Sequence, residues 1–205
     1  MKKAKVAIIG PGNIGTDLMY KVLRSEYLEM SIMIGIVDSE GIDRARKLGV
    51  ETSLEGIACL GKAPEKADIL FDATSARTHI EVNAPAAEKM GKIIIDLTPA
   101  AIGMIVSPMV NMGDALKVRN VNLITCGGQA TTPIIYAISK AAPLEYAEVV
   151  TSVASKSAGP GTRNNIDEYT STTAKAIMRL TDTERAKVMT ILNPAIPEPP
   201  MRNTI

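Results

Sequence analysis

The residue best suited to covalent chemistry in this sequence is a cysteine at the border between a strand-like and a helix-like pattern. Cys126 follows the apolar run 121–125 and precedes Gly127 and Gly128, which open the next helix pattern. The thiolate is the reactive form of cysteine, and a helix N-terminus stabilises negative charge. The glycines leave room for a carbonyl and expose N–H groups that could hold an oxyanion. The pattern predicts a nucleophile, with a small buried side chain as the open alternative.

A glycine-rich loop near the start of the chain predicts a dinucleotide site. It follows a strand pattern over 5–9 and precedes a helix pattern over 17–23. In such loops the glycines permit a tight turn, let phosphates approach and let the helix pack on the strand, while the helix N-terminus faces the pyrophosphate. An ordinary glycine-rich turn is the alternative. The residues expected to contact the cofactor are Gly10, Pro11, Gly12, Asn13, Ile14 and Gly15.

A carboxylate after the second strand pattern predicts which cofactor binds. The apolar run 32–37 ends at Asp38, and Glu40 lies close behind as a possible substitute. A carboxylate at this place hydrogen-bonds the ribose hydroxyls of NAD and repels the extra phosphate of NADP. We therefore expect Asp38 to select NAD, with a solvated turn as the alternative reading.

A thiol beside a nicotinamide ring points to one reaction sequence. The thiolate of Cys126 adds to an aldehyde, the thiohemiacetal gives a hydride to NAD⁺, and the thioester passes to an acceptor. The sequence requires the sulfur to lie within hydride-transfer range of the nicotinamide.

Bulk properties favour a cytoplasmic enzyme. The chain has 205 residues and a formal net charge of +1, which gives no reason to expect nucleic acid or an anionic membrane as a partner. The apolar runs are strand-length, and no signal peptide precedes the first strand pattern. The two cysteines lack metal-site spacing, so free thiols are expected and no metal. Cys59 carries no mark of reactivity and is expected to pack as a small apolar residue.

Alternating strand and helix patterns predict an α/β fold. A Rossmann-type parallel sheet is expected over 1–127, followed by an incomplete α+β substrate or dimerisation domain over 128–205. Further strand patterns cover 69–72, 92–96, 121–125, 146–154 and 187–192. Helix patterns cover 43–48, 54–60, 80–90, 132–141 and 166–180.

Three polar residues and one loop complete the candidates. His79 is the only histidine, and a helix-start or solvent-facing position is expected for it. Asp72 and Asp96 end buried strand patterns and are expected to fix loops as hydrogen-bond acceptors. The segment 157–163 is too rich in glycine and proline for regular structure, and Arg163 offers a planar fork suited to phosphate or carbonyl oxygen.

Five stretches together resemble the acylating acetaldehyde dehydrogenases. They are residues 6–19, 71–76, 96–103, 125–131 and 156–168. The resemblance runs along nearly the whole chain, and it implies conversion of acetaldehyde, NAD⁺ and coenzyme A to acetyl-CoA and NADH. Members of this family accompany a 4-hydroxy-2-oxovalerate aldolase in bacterial breakdown of aromatic compounds.

The resemblance also implies roles for individual residues. Cys126 matches the acyl-thioester nucleophile, and Pro11, Gly12, Asn13 and Ile14 match a first NAD-contacting segment. A second NAD-contacting segment is matched by Ser157, Ala158, Gly159, Pro160, Gly161, Thr162, Arg163, Asn164 and Asn165.

Two departures leave alternatives open. Family members continue well beyond the position of Ile205, so an oligomer is expected if the remaining part is supplied. Asn203 stands where members usually carry an aspartate thought to assist the cysteine, and an amide cannot accept a proton as a carboxylate does. A truncated, impaired fragment that binds NAD or the aldolase is one alternative. A semialdehyde dehydrogenase that phosphorylates its thioester is the other.

Overall fold

The computed structural model describes residues 2–159, 163 and 165–205. The chain divides into two compact units. The first comprises Met1–Thr98 and Val118–Val121, and the second comprises Pro99–Lys117 and Asn122–Ile205.

A seven-stranded sheet is the larger of the two sheets. Its strands are β1 (Ala4–Ile9), β2 (Leu28–Ile34), β3 (Glu51–Ser53), β4 (Ile69–Asp72), β5 (Ile93–Asp96), β6 (Met104–Ile105) and β7 (Asn120–Asn122). Their order is β3-β2-β1-β4-β5-β7-β6, and β1 pairs in parallel with both β2 and β4. The pairs β2–β3 and β4–β5 are parallel as well. The predicted Rossmann-type α/β fold is confirmed.

Alternate residues of β1 explain why helices cover both faces of this sheet. Ala7 and Ile9 belong to one buried cluster, whereas Val6 and Ile8 belong to another. Successive side chains of a strand point to opposite faces, so an unbroken apolar run requires a cover on each side. The helices of this region are α1 (Asn13–Leu23), α2 (Glu40–Lys47), α3 (Ala58–Lys62), α4 (Ala76–Thr78) and α5 (Ala84–Lys89), with a π-helical turn over His79–Asn83.

Among the described residues, the second unit contains a small mixed sheet and the helices α6 (Pro108–Ala115), α7 (Cys126–Ser139) and α8 (Ile166–Thr181). The strands of the small sheet are β8 (Tyr146–Ala154), β9 (Arg185–Asn193) and β10 (Arg202–Thr204). Their order is β10-β8-β9, with β8 parallel to β9 and antiparallel to β10. Ile135 of α7 and Ile177 of α8 pack with Val149 and Val188 of the sheet.

Several predicted limits differ from the observed ones. The strand predicted over 32–37 stops at Ile34, and Ile36 and Val37 are 79% and 64% exposed. The strand predicted over 121–125 stops at Asn122. The helix after it begins at Cys126, ahead of the helix pattern over 132–141. Apolar composition alone did not separate buried strand from exposed loop at these two places.

The shortest elements were not predicted. β3, β6 and β10 have three, two and three residues, too few for a period-2 pattern to be seen. Across the described residues, no helix is both long and apolar enough to cross a membrane.

Candidate active site

The glycine loop has the close contacts that its sequence predicted. Gly10 has a φ of 101°, and a Cβ there would lie 2.6 Å from the carbonyl oxygen of Ala73. A Cβ on Gly15 would lie 2.0 Å from the carbonyl oxygen of Gly10. Glycine is therefore required at the turn and where α1 meets the loop.

Gly12 leaves open space at the N-terminus of α1. No atom lies within 4 Å of the position a Cβ would take there. Gly12 is the N-cap and supplies no capping side chain, and the first turn of α1 holds no acidic residue. The first N–H groups of a helix have no partner within it, so those of Asn13 and Ile14 are available to an anion. The loop fits a dinucleotide pyrophosphate.

Asp38, which lies just before α2, contacts Arg46 in the last turn of that helix. Its Oδ1 is 2.8 Å from Nη1 of Arg46, which also contacts Asp43 at 3.2 Å. Asp38 is exposed and follows the exposed residues Ile36 and Val37. A carboxylate suited to ribose hydroxyls thus stands next to a cation suited to a 2′-phosphate.

Cys126 is exposed and occupies the first position of α7. Thr125 caps this helix, and its Oγ1 accepts a hydrogen bond of 2.9 Å from the N–H of Gly128. The sequence folds this way because threonine is a favoured N-cap, whose extended backbone lets the helix begin at the next residue. The sulfur is therefore placed at the positive end of the helix dipole.

The predicted use of the two glycine N–H groups is revised. The N–H of Gly127 donates to Oη of Tyr169 at 3.0 Å, and that of Gly128 is used by the cap. A Cβ on Gly127 would lie 2.2 Å from the same Tyr169 oxygen, so the glycine makes room for the phenol. Within the described part of the chain, the N–H of Cys126 itself has no acceptor. That group is the donor left for an oxyanion.

The hydroxyl of Tyr169 is a polar neighbour of the sulfur. Its Oη lies 3.7 Å from Sγ of Cys126, and its side chain is buried. Burial, together with the neighbouring Cys126, raises the pKa of Tyr169 to about 12. The phenol is therefore protonated at neutral pH.

A second hydroxyl joins this site to the last strand. Oγ1 of Thr151 donates to Oδ1 of Asn203 at 2.8 Å, and these residues are paired in the β8–β10 ladder. A Cβ on Gly127 would lie 2.7 Å from Oγ1 of Thr151, which places this threonine at the start of α7. Asn203 is thus one threonine away from the helix turn that carries the cysteine.

The backbone before Cys126 is strained. Ile124 has a φ of 62° and a fully buried side chain, and its N–H donates to Oδ1 of Asn122 at 2.9 Å. A β-branched residue in the left-handed region is rare, and such strain persists only where neighbouring contacts enforce it. The turn between β7 and α7 is therefore held in one conformation.

The second predicted cofactor segment lies only partly within the described residues. Pro160, Gly161, Thr162 and Asn164 lie outside them. Arg163 donates from Nε to the carbonyl oxygen of Ala158 at 2.9 Å and from Nη2 to Ser155. Its fork therefore binds backbone and side-chain oxygens of its own loop. The contacts of Ser157, Ala158, Gly159 and Asn165 with a cofactor stay a prediction.

His79 lies near the start of the helical segment that begins at Ala76, as one expected alternative had it, but it is fully buried, so the solvent-facing alternative is wrong. Its Nδ1 lies 2.8 Å from Oδ2 of Asp72, and its Nε2 lies 3.5 Å from Oδ2 of Asp96. Both aspartates are also fully buried, and Asp72 accepts from Thr74 while Asp96 accepts from Thr98. The expected loop-fixing role of the aspartates is confirmed, and the histidine is buried because these two carboxylates need a cation.

Cys59 matches its expectation. It is partly buried, packs against the cluster that includes Ile57 and Leu60, and carries a free thiol like Cys126.

Tyr169, Thr151 and Thr125 were not singled out from the sequence. The available signal was the buried face of α8, where Tyr169, Thr172 and Thr173 precede Ala176 and Ile177 at helical spacing. Buried hydroxyl groups need hydrogen-bond partners, so a core-facing helix stripe that carries them indicates a polar cluster inside the fold.

The large sheet and its glycine loop define the class as a Rossmann-type α/β fold. A family model described as NADP oxidoreductase, coenzyme F420-dependent, matches residues 5–100. The solved structure of aspartate semialdehyde dehydrogenase with NADP from Candida albicans has a TM-score of 0.64 at 9% identity, covering 94% of this chain and 69% of that one. Aspartate semialdehyde dehydrogenase II from Vibrio cholerae has a TM-score of 0.60 at 15% identity, covering 95% and 69%. These likenesses establish the fold.

Sequence similarity gives the family. A model described as prokaryotic acetaldehyde dehydrogenase, dimerisation, matches residues 126–205. Acetaldehyde dehydrogenase of Carboxydothermus hydrogenoformans is 55% identical over 99% of this chain and 68% of its own length. Propanal dehydrogenase (CoA-propanoylating) of Mycobacterium bovis is 54% identical over 99% of this chain and 67% of its own. The chain belongs to the acetaldehyde dehydrogenase family, and it spans about two thirds of the length of these relatives.

Proposed function

We propose that this chain oxidises acetaldehyde, or another short aldehyde, with NAD⁺ and passes the acyl group to coenzyme A. The observation that carries the proposal is the exposed thiol of Cys126 on the first residue of α7, in a chain of this family. The names of the relatives, acetaldehyde dehydrogenase and CoA-propanoylating propanal dehydrogenase, support both the aldehyde and the acyl acceptor.

The first step is bond formation at sulfur. The thiolate of Cys126 attacks the aldehyde carbon, and the carbonyl oxygen becomes an alkoxide that the N–H of Cys126 can bind. Bound NAD⁺ supplies the acceptor for the hydride that leaves this carbon. The alkoxide electrons re-form the carbonyl as the hydride departs, and the acyl group remains on sulfur as a thioester.

The second step returns the sulfur to its starting state. The thiolate of coenzyme A attacks the thioester carbonyl, and Cys126 leaves as a thiolate while acyl-CoA is released. Aldehyde, NAD⁺ and coenzyme A thus become acyl-CoA, NADH and one proton. The helix N-terminus favours both the attacking and the leaving thiolate.

The wider setting is part of the proposal. The match of residues 126–205 to a dimerisation region supports an oligomer. Association with a 4-hydroxy-2-oxovalerate aldolase in breakdown of aromatic compounds is inferred from the family resemblance. A cytoplasmic location fits the free thiols of Cys59 and Cys126.

NADH formation tests the proposal. Absorbance at 340 nm is followed with acetaldehyde and NAD⁺, with and without coenzyme A, for the full chain and for Cys126→Ser. We expect coenzyme-A-dependent NADH formation that Cys126→Ser lowers by at least about a thousandfold, since a hydroxyl is a far weaker nucleophile at neutral pH. Cys59→Ser is the matched control and should retain the rate, because Cys59 packs in the other unit.

Other outcomes favour other functions. NADH formation that depends on phosphate instead of coenzyme A indicates a phosphorylating semialdehyde dehydrogenase; two of the fold relatives are named aspartate semialdehyde dehydrogenases. NAD binding measured by calorimetry without any turnover indicates a binding fragment in which Asn203 has replaced the base.

A further inference from the structure

We propose that Tyr169 is a positioning residue for Cys126, whose hydroxyl accepts a hydrogen bond from the thiol and turns to donate one to the thiolate. This inference rests on the proposed role of Cys126 as the nucleophile. It adds a group that controls how easily the thiol ionises. The same group controls how easily the sulfur leaves as a thiolate when the thioester is cleaved.

The position of the hydroxyl carries the inference. Oη of Tyr169 lies 3.7 Å from the sulfur and 3.0 Å from the backbone nitrogen of Gly127. The N–H of Gly127 is a donor, so it occupies one lone pair of the phenol oxygen. One lone pair and the phenol proton remain for the other neighbours.

The proton of Thr125 is already committed elsewhere. Thr173 donates its hydroxyl proton to the carbonyl oxygen of Tyr169 at 2.8 Å. In the 2.6 Å contact between the hydroxyls of Thr125 and Thr173, the donor must therefore be Thr125. Thr125 faces Tyr169 with lone pairs alone.

The hydroxyl proton of Thr151 is also committed to another acceptor. Its hydroxyl proton is donated to Oδ1 of Asn203 at 2.8 Å. Oη of Tyr169 and Oγ1 of Thr151 both approach the position of a Cβ on Gly127, at 2.2 and 2.7 Å, and hydrogen bonding to Thr151 and Thr125 influences the pKa of Tyr169. Neither has a proton left to give, so the phenol proton has two threonine oxygens and one sulfur as possible acceptors.

The charge on the sulfur decides which of these three acceptors receives the phenol proton of Tyr169. A thiol can donate its proton to the free lone pair of Tyr169, while the phenol proton points to a threonine. A thiolate cannot donate, and it is a stronger acceptor than a hydroxyl, so the phenol proton turns to the sulfur. Only rotation about the Cζ–Oη bond is needed, and no proton is transferred, because burial keeps the phenol protonated.

Among the described residues, the hydrogen-bonded cluster around Cys126 contains no side chain of Arg, Lys, Asp, Glu or His. Cys126 and Tyr169 are the titratable groups of the cluster, and its other members are the neutral side chains of Thr125, Thr151, Thr173 and Asn203. A single hydrogen bond to a thiolate therefore changes its free energy without an ion pair to mask the effect.

Alkylation of the thiol tests the inference without cofactor or aldehyde. The rate of Cys126 modification by iodoacetamide is measured from pH 5 to 10 by mass spectrometry of the Cys126 peptide. Removing only the hydroxyl, with Tyr169→Phe, should lower the rate at pH 7 about tenfold and move the pH midpoint up by about one unit. The limiting rate at high pH should stay within about twofold. The matched control is Tyr136→Phe, which removes a tyrosine hydroxyl from α7, the helix that carries Cys126. It should keep the wild-type profile.

A second variant predicts the opposite sign. Thr151→Val removes one competing acceptor at nearly constant volume, so the phenol proton is freer to turn to the sulfur. The rate at pH 7 should rise about threefold, which is a smaller effect because Thr125 still competes. This variant decides the question if Tyr169→Phe does not fold by circular dichroism.

Three results overturn the inference. They are an unchanged profile in Tyr169→Phe, a lower limiting rate with an unchanged midpoint, and an unchanged or lower rate in Thr151→Val. Failure of the proposed function is seen separately, as absent NADH formation in a protein whose alkylation profiles still respond to these changes.

Discussion

The imidazole of His79 and the carboxylate of Asp72 are joined by a contact of 2.8 Å in which neither side chain reaches solvent. The second imidazole nitrogen lies 3.5 Å from Asp96, which is equally buried. Burial alone would lower the pKa of His79, but the hydrogen bond to Asp72 and the charges of Asp96 and Asp72 raise it above its usual value. One buried cation therefore serves two strand-end carboxylates.

This arrangement makes stability depend on pH. The pKa of His79 is higher in the folded chain than in the unfolded chain, so the folded chain retains the proton where the unfolded chain has lost it. The stabilisation is fully present below about pH 6.5 and is lost as the pH rises through the folded pKa. Chemical denaturation between pH 6 and 9 should show a falling free energy of unfolding. No other histidine exists to produce the same trend.

Replacing the histidine should remove that trend. His79→Gln leaves two buried carboxylates without a cation, and it should lower the free energy of unfolding by about 3 kcal/mol at pH 6. The matched control is Arg77→Gln, which breaks an exposed pair with Glu81 and should have little effect. A pH trend that persists in His79→Gln would assign the proton uptake to another group.

Asp38 should control the choice between NAD and NADP. Asp38→Asn removes the charge that suits the ribose hydroxyls and one of the two carboxylate partners of Arg46, the cation suited to a 2′-phosphate. We expect NAD to bind about tenfold more weakly and NADP to bind more tightly, as measured by calorimetric titration with each cofactor. Asp43→Asn, which removes the other partner of Arg46, should leave NAD affinity unchanged. Equal effects of the two changes would show that only the charge of Arg46 matters.

A methyl group at Gly127 should disrupt the site. In Gly127→Ala the new Cβ would lie 2.2 Å from Oη of Tyr169, so the phenol or the helix must move. We expect a loss of about 2 kcal/mol in denaturation experiments, together with slower alkylation of the thiol. Gly113→Ala is the matched control in the same unit, since it meets open space within α6 and should be neutral or slightly stabilising.

The double variant identifies the clashing atom. Tyr169→Phe removes the oxygen at 2.2 Å, so it should recover part of the stability lost in Gly127→Ala. If the losses in free energy of unfolding caused by the two changes simply add, the new methyl group clashes with an atom other than Oη of Tyr169.

A carboxylate at position 203 should increase turnover. Asn203→Asp keeps the acceptor for Thr151 and adds a group that can accept a proton. We expect coenzyme-A-dependent NADH formation to rise about tenfold at pH 7, a modest share of what a general base supplies. Asn193→Asp, which keeps the acceptor for the N–H of Ala195, is the control. An unchanged rate in Asn203→Asp would mean that residue 203 acts only by holding Thr151.

The large sheet was predictable because its strands are buried on both faces. β1, β4 and β5 contain the apolar runs 6–9, 69–71 and 93–95, and glycines with steric requirements mark the turn after β1. The pattern over 146–154 matched β8 at both ends. Elements of two or three residues gave no such signal, because their pairing depends on distant partners.

The setting of the cysteine was predictable only in outline. Its place at a helix start followed from the residues around it, whereas the partners of the glycine N–H groups depend on Tyr169, which is 42 residues away in sequence from Gly127. Burial of His79 likewise follows from Asp72 and Asp96 on separate strands. The domain limits at 127 and 128 and the closeness of sulfur and nicotinamide stay predictions.

The pairing of Thr151 with Asn203 sets an order for biosynthesis. These residues are 52 positions apart, and β10 joins the small sheet only after β8 and β9 have been made. A ribosome-bound chain can therefore assemble its nucleotide-binding strands while the threonine beside the helix entrance still lacks its amide partner. Cys126 therefore leaves the exit tunnel before β10 does, and the hydroxyl of Thr151 gains its amide partner only when β10 joins the sheet.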